Sequence, residues 1–431
     1  MTESSEQGQK RRSRFAPSQA WILALLACAA LVGSVWLGAT TNYGGDNDTY
    51  HMLGTFLHIL KAGDYTPSRF TGYPVAEIGI GALAWMGGSA LSNLITYALF
   101  VIAVVLFPLG LKSGFGSPTR TWAFLAMVLT APVLAFDNTQ TMDYSWTLVF
   151  WVIGNLCLRR SQNQAMAIIP MALSIGSRPS FAIFVVTSIL MIRPDHGRQP
   201  ETRWNALKQR IPTVAATLFS GGLFYLPAWL KNGFSLSWIS ASPPDNQGAI
   251  GVVARFFYKT MITIGIWQAC IILALGILLT LKRHHLNRTW TTLQASDTSF
   301  LLAVVSLNLL IFARIPAELS YLQPALICIF YYIAQMRTQA FAWISMALAS
   351  LNLTNWFIQP KIVDIRYQTD DLCEKVVAMD ASINLGIEPG RLTKNRKNLE
   401  RVRCYAMWFR DVEGKDYSHV IARGLPLKQL D

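Results

Sequence analysis

Charge is what this chain has least of: Asp, Glu, Lys and Arg supply 14% of its 431 residues, against 52% from apolar side chains. That ratio excludes a disordered chain and an ordinary soluble domain, and it leaves a polytopic membrane protein. Acids are scarcer than bases, 24 against 37, for a net charge of +13. The bases stand in short loops between apolar runs, as the positive-inside rule places them, so the excess predicts cytoplasmic loops and no nucleic-acid partner. Cysteine is sparse and scattered. Cys28, Cys157, Cys270 and Cys328 fall inside apolar segments and read as inert core thiols. Cys373 and Cys404 fall in a polar tail, where they either pair in an oxidising compartment or stay as buried thiols. No close pair has the spacing of a zinc or redox motif. Internal repeats and low-complexity segments are missing, which removes repeat architectures and weighs against a transporter.

What is present starts with an uncharged run, Trp21 to Ala39, long enough to cross about 30 Å of hydrocarbon. Lys10, Arg11, Arg12 and Arg14 precede it and hold the N-terminus in the cytoplasm; the apolar stretches downstream favour an anchor over a signal peptide cleaved near Ala39. Lys112 with Arg120, Arg159 with Arg160, Arg193 to Arg210, Lys282 to Arg288, and Arg337 read as cytoplasmic pins. Between pins the chain must leave and return, so each interval is a hairpin with an outer tip. The spans are Trp21–Ala39, Leu91–Leu111, Trp122–Phe136, Tyr144–Leu158, Ala165–Gly176, Phe181–Ile192, Ile211–Leu230, Ile262–Leu281, Phe300–Ala313, Tyr321–Gln335 and Ala340 to Trp356. The expectation is an all-α polytopic membrane protein with about 11 transmembrane helices, N-terminus in and C-terminus out. Residues 1–20 form the basic cytoplasmic start, 21–357 the transmembrane domain and 358–431 a small α/β extracytoplasmic domain, with a helix at Asp370–Ser382, a turn at Glu388-Pro389-Gly390 and a strand at Val402–Phe409.

The first outer loop, 40–90, holds more than a connection. Asp48 to Leu60 carries Tyr50, Leu53, Leu57 and Leu60 on one stripe, an amphipathic helix capped by Asp48 or Thr49 and ended by Gly63. Val75–Ala90, rich in glycine, is expected to lie with it along the outer membrane surface. The threading gathers Asp46, Asp48, Asp143, Arg178, Arg255, Arg314 and Glu318 on one face, and charges at membrane depth mark a site.

Five short patterns follow in order: Asp46-Asn47-Asp48-Thr49-Tyr50 leading to Gly63-Asp64-Tyr65; Gly72-Tyr73-Pro74; Leu129-Thr130-Ala131-Pro132 with Met142-Asp143-Tyr144; Gly176-Ser177-Arg178-Pro179; and Arg314 with Tyr321-Leu322-Gln323-Pro324-Ala325-Leu326. Their order and topology resemble the C-type superfamily of integral-membrane glycosyltransferases (GT-C), which includes polyprenyl-phosphate-dependent protein mannosyltransferases and the bacterial lipid A aminoarabinose transferase. The departures are Tyr73 where members often have His, Arg178 where several have Lys, and a tail without a counterpart.

The resemblance implies a plasma (inner) membrane enzyme moving a monosaccharide from a polyprenyl-phosphate donor to an acceptor hydroxyl on the outer face, with inversion. The acceptor is a cell-envelope lipid, glycan or protein. The family places its general base in the first outer loop, which points to Asp46 or Asp48; both acids also fit as helix caps. Arg178, Arg255 and Arg314, with Arg69 and Lys259, are the cations for the leaving phosphate, although Arg314 also has Glu318 four residues on as an ion-pair partner. Asp143 orients the acceptor or holds an arginine. Tyr50 and Tyr321, with Trp146 and Trp238, either stack on sugar or belt the membrane interface. Glu318 joins the acceptor side. No cofactor is required, and a divalent cation, Mg or Mn, is an option that a monophosphate donor needs less than a diphosphate does; His51 and His58, without a third ligand, make no metal site. Two other readings compete: an outer-face polysaccharide polymerase or ligase, which would not need the acidic pair, and a lipid-linked sugar flippase, which would show repeats and mid-membrane helix breaks.

Overall fold

The computed structural model describes residues 17–44, 47–68, 72–161, 163–192, 203–233, 256–260, 268–274, 291–314, 319–336, 340–369, 376–389 and 424–430, with the single positions 253 and 265. Helices dominate: α1 (Pro17–Thr40), α2 (Asn47–Ala62), α3 (Pro74–Leu106), α4 (Pro118–Thr130), α5 (Pro132–Asn138), α6 (Tyr144–Arg160), α7 (Ile168–Ser177), α8 (Ala182–Met191), α9 (Arg203–Leu223), α10 (Leu226–Asn232), α11 (Ala295–Arg314), α12 (Gln323–Ala334) and α13 (Ala340–Phe357). Segments Ser18–Thr40, Pro74–Gly110 and Ala295–Arg314 are each long and apolar enough to cross a membrane. In α1, Leu23, Ala27, Ala30 and Leu37 are buried while Trp21, Leu25 and Val32 face outward. An outward flank as apolar as the inward one is stable where lipid covers it, and the chain is a helical membrane protein.

Two expected elements come out differently. Trp122–Phe136 is not one straight span: α4 and α5 meet at a 66° bend, because Pro132 has no N–H to give and holds Ala131 extended. Val75–Ala90 is not a separate surface helix: it runs into Leu91–Leu111 as α3, with one non-helical residue, Gly88 at φ 69°, where the axis kinks. The segments expected on either side of Arg178, Ala165–Gly176 and Phe181–Ile192, are present as α7 and α8, joined by extended Arg178 and a 3-10 turn, Pro179–Phe181. Cys328 is buried as expected, whereas Cys28 and Cys270 lie on exposed helix flanks and are not core residues.

α1 and α13 pack on α4, α6 packs on α3 and α7, α9 on α7, and α11 on α12. Trp151, Phe107, Phe124, Phe184, Phe300 and Tyr331 centre the main core, and a second cluster joins Tyr43, Tyr50, Leu53, Leu57, Ile80, Met142, Tyr144 and Leu427. The two ends of the bundle differ in chemistry. At one end Arg120 donates to Thr292 and to Gln335 (3.1 Å), while Asp297 accepts from the amides of Lys112 (3.1 Å) and Ser113 (2.7 Å). These are loops read as cytoplasmic, and Arg159 and Arg160 close α6. At the other end of α6 and α12 stand Tyr144 and Gln323, beside the candidate site.

After α13 the chain forms two antiparallel strands, β1 (Ile358–Thr369) and β2 (Val376–Pro389), pairing Ile358 with Pro389 and Thr369 with Val376. The helix expected at Asp370–Ser382 is therefore strand from Val376 onward, and Glu388-Pro389 ends a strand rather than making a turn. Cross-strand pairing of a Val-Val-Ala-Met run outweighs its helical spacing. The expected strand Val402–Phe409, Cys373, Cys404 and the basic N-terminal cluster lie outside the described residues, as do the parts of the span count on 193–202, 234–252 and 275–290.

Candidate functional site

One asparagine in an apolar helix ties the first two outer loops together. Asn93 of α3, fully buried, donates to the carbonyls of Gly38 (3.1 Å) and Asn42 (2.7 Å) and accepts from the hydroxyl of Thr141 (2.7 Å). The Thr141 amide donates to Tyr43 (3.3 Å), and Thr49, next to Asp48, donates to the Thr141 carbonyl (2.9 Å). The acidic loop and the tip carrying Asp143 are thus held together by buried hydrogen bonds, each costly to leave unmade.

Beyond that tip lies the most unusual side chain of the bundle. Arg178, 2% exposed, has its Nη1 3.3 Å from Oδ2 of the fully buried Asp143. Its guanidinium carbon lies 4.0 Å from the ring centre of Tyr144, 4.7 Å from that of Tyr321 and 5.6 Å from that of Tyr73. Desolvated cation–π contacts of this kind are worth up to about 2 kcal/mol, and the carboxylate supplies the countercharge that a buried cation needs. The position follows from the backbone: extended Arg178 followed by Pro179 turns the chain where α7 stops. Arg178, Tyr144 and Tyr321 line a pocket of about 20 Å³ with Phe184, Asn308 and Gln323, room for a water or two. Asn308 sets its far wall, donating to the Tyr321 carbonyl (2.7 Å) and accepting from the Ala325 amide (3.2 Å).

A clamp stands beside it. Glu77, fully buried in the first turn of α3, accepts from the Ser68 amide (3.0 Å), the Ser68 hydroxyl and the Tyr65 hydroxyl. Burial, and Glu77 beside it, hold the Tyr65 phenol well above its ordinary pKa, so it stays a donor. At the loop's exposed edge, Lys231 of α10 binds Asp64, whose pKa it lowers, and Thr66 (2.9 Å). Both contacts fix the loop that leads to Tyr73.

No family model and no curated protein matches the chain. Among solved structures it is similar to ArnT from Cupriavidus metallidurans in the apo state, at 13% identity and a TM-score of 0.47, over 74% of this chain and 60% of that one. The chain spans about three-fifths of the length of that structure.

The expected site residues divide into three groups. Arg178, Asp143 and Tyr321 come together, with Arg178 held by Asp143, and Asp48 sits half-buried in the first turn of α2, one residue from the Thr49 link. Arg314 is exposed in the last turn of α11, at the same end, and Lys259 belongs to the helical segment 256–260, whose Phe256 packs on Phe312 at 5.6 Å. Asp46, Arg69, Arg255, Glu318 and Trp238 lie outside the described residues. Tyr50 is 2% exposed, and its hydroxyl donates to the Gly44 carbonyl (2.9 Å), which braces the acidic loop. Among the described residues no group of three or more His, Cys, Asp or Glu is placed to hold a metal. Tyr73, Tyr144, Glu77, Tyr65 and Asn93 were not singled out as site residues. Tyr65, Tyr73 and Tyr144 stand in the quoted patterns, and for Glu77 and Asn93 the signal is a lone polar residue in an apolar helix.

Proposed function

We propose that this chain is a GT-C-type glycosyltransferase of the inner membrane, transferring a monosaccharide from a polyprenyl-phosphate donor to a hydroxyl of an envelope acceptor. The observation that supports it most is Arg178: a guanidinium caged by three tyrosines and a carboxylate, lining a pocket at the end where the acidic loop is tied down. In this reading the acceptor oxygen attacks C1 of the sugar, its proton passes to Asp46 or Asp48, and the bond from C1 to the phosphate oxygen breaks with inversion. Arg178 stabilises the negative charge that grows on the leaving phosphate, since a cation fixed in a dry site costs no reorganisation during reaction. Arg314, Lys259, Arg255 and Arg69 extend the phosphate site. Tyr321 offers a half-buried ring to the sugar, and Glu318 stands on the acceptor side. No cofactor takes part, because guanidiniums carry the charge of a monophosphate.

Native mass spectrometry of the purified protein should find bound polyprenyl phosphate. In a transfer assay with polyprenyl-phosphate sugars, Asp46→Asn or Asp48→Asn should lower the rate by about 10²- to 10⁴-fold, and Arg178→Lys by about 10²- to 10³-fold. EDTA should leave the wild-type rate unchanged. Wild-type rates in both acidic variants would rule out a first-loop base, and loss with EDTA would require a metal in the reaction.

A further inference from the structure

The end of the chain returns to this site. Gly424–Leu427 lies across the kink of α3: the Ser89 amide (3.0 Å) and hydroxyl (3.2 Å) donate to the Gly424 carbonyl, and the Tyr43 hydroxyl donates to the Leu425 carbonyl (2.6 Å). Leu427, 1% exposed, enters the second core cluster, and the turn it opens packs on α3. The contact is close on both sides. Gly88 (φ 69°) and Gly424 (φ 63°) both hold left-handed backbone, and a β-carbon on Gly88 would collide with the Gly424 carbonyl, one on Gly424 with Ser89. Only glycine fits either position. Tyr43, which holds the strap, also accepts from the Thr141 amide, and the next residue, Gly44, accepts from Tyr50. The strap therefore bonds directly to Tyr43, just before the segment bearing Asp46 and Asp48.

We propose that Gly424–Leu427 is a strap that holds the first outer loop in place, making Leu427 a positioning residue for transfer; this rests on the function proposed above. The first outer loop then depends on a segment almost four hundred residues away in the chain.

The test compares, in detergent, the full chain with Leu427→Ala, Leu427→Asp and a chain ending at Arg423, with Lys428→Ala, an exposed neighbour, as control. Amide exchange across 41–62 should speed up by about tenfold or more in the three strap variants while α4 and α6 stay protected. Transfer should fall by roughly 10- to 100-fold, as expected for a misplaced base, and a synthetic peptide of residues 424–431 should restore part of both in the truncated chain. Unchanged exchange across 41–62 in Leu427→Asp and the truncation overturns the strap whatever the rates. Exchange that changes as expected, in a protein that transfers no sugar, keeps the strap and removes the function. Loss of protection throughout the bundle in all three, Leu427→Ala included, also counts against it, since the segment would then hold the whole fold.

Discussion

A guanidinium taken out of water needs an anion, and Asp143 supplies one to Arg178 at 3.3 Å within a ring of tyrosines. Removing one partner leaves a buried unpaired charge, so Asp143→Ala should cost about 3–5 kcal/mol of stability, whereas replacing both partners by apolar residues is often neutral. The expected pattern is a lower thermal midpoint for Asp143→Ala, recovery in the double variant Asp143→Leu/Arg178→Met, and no transfer by either. A double variant that is stable and still transfers sugar would make the pair purely structural. The sequence showed both residues as outer-face charges, but not that they would be partners. They stand 35 positions apart, on different hairpins, and only the packing of α6 against α7 brings them into contact.

Among the elements, the loop between α2 and α3 depends most on a few contacts. Its apolar content is low, so Glu77 on one side and Lys231 on the other hold it. Glu77→Ala removes the acceptor of three hydrogen bonds and should cost about 1–3 kcal/mol. The Ser68 amide should then exchange faster, and Tyr73 should lose its place against Arg178; an unchanged Ser68 amide would show that the loop is held elsewhere. Periodicity made α2 legible, with Tyr50, Leu53 and Leu57 all buried. Leu60 is half exposed because the helix runs past the cluster it packs on. Val75–Ala90 reads as a surface helix separate from Leu91–Leu111, but the chain only kinks, at Gly88, with apolar helix continuing on both sides. Trp122–Phe136 reads as one span in the sequence, and both the bend at Pro132 and its 66° angle belong to the structure.

For the whole molecule, the separation of basic loops from site residues at opposite ends of α6 and α12 makes a prediction about sidedness. In a background lacking the six native cysteines, Asp64→Cys and Lys428→Cys should react with an impermeant maleimide from one side, and Lys112→Cys only from the other; Asp64 and Lys112 labelled from the same side would defeat the topology. The sequence by itself determined the solvent and where most of the apolar helices run, because hydrophobic run length acts locally along the chain and suffices for that choice. Tertiary structure alone decided who meets whom: Arg178 with Asp143, Asn93 with Thr141, Leu425 with Tyr43. Such pairings depend on distances in space between segments far apart in the chain, and buried polar groups accept only the partners that packing brings within a hydrogen bond of them.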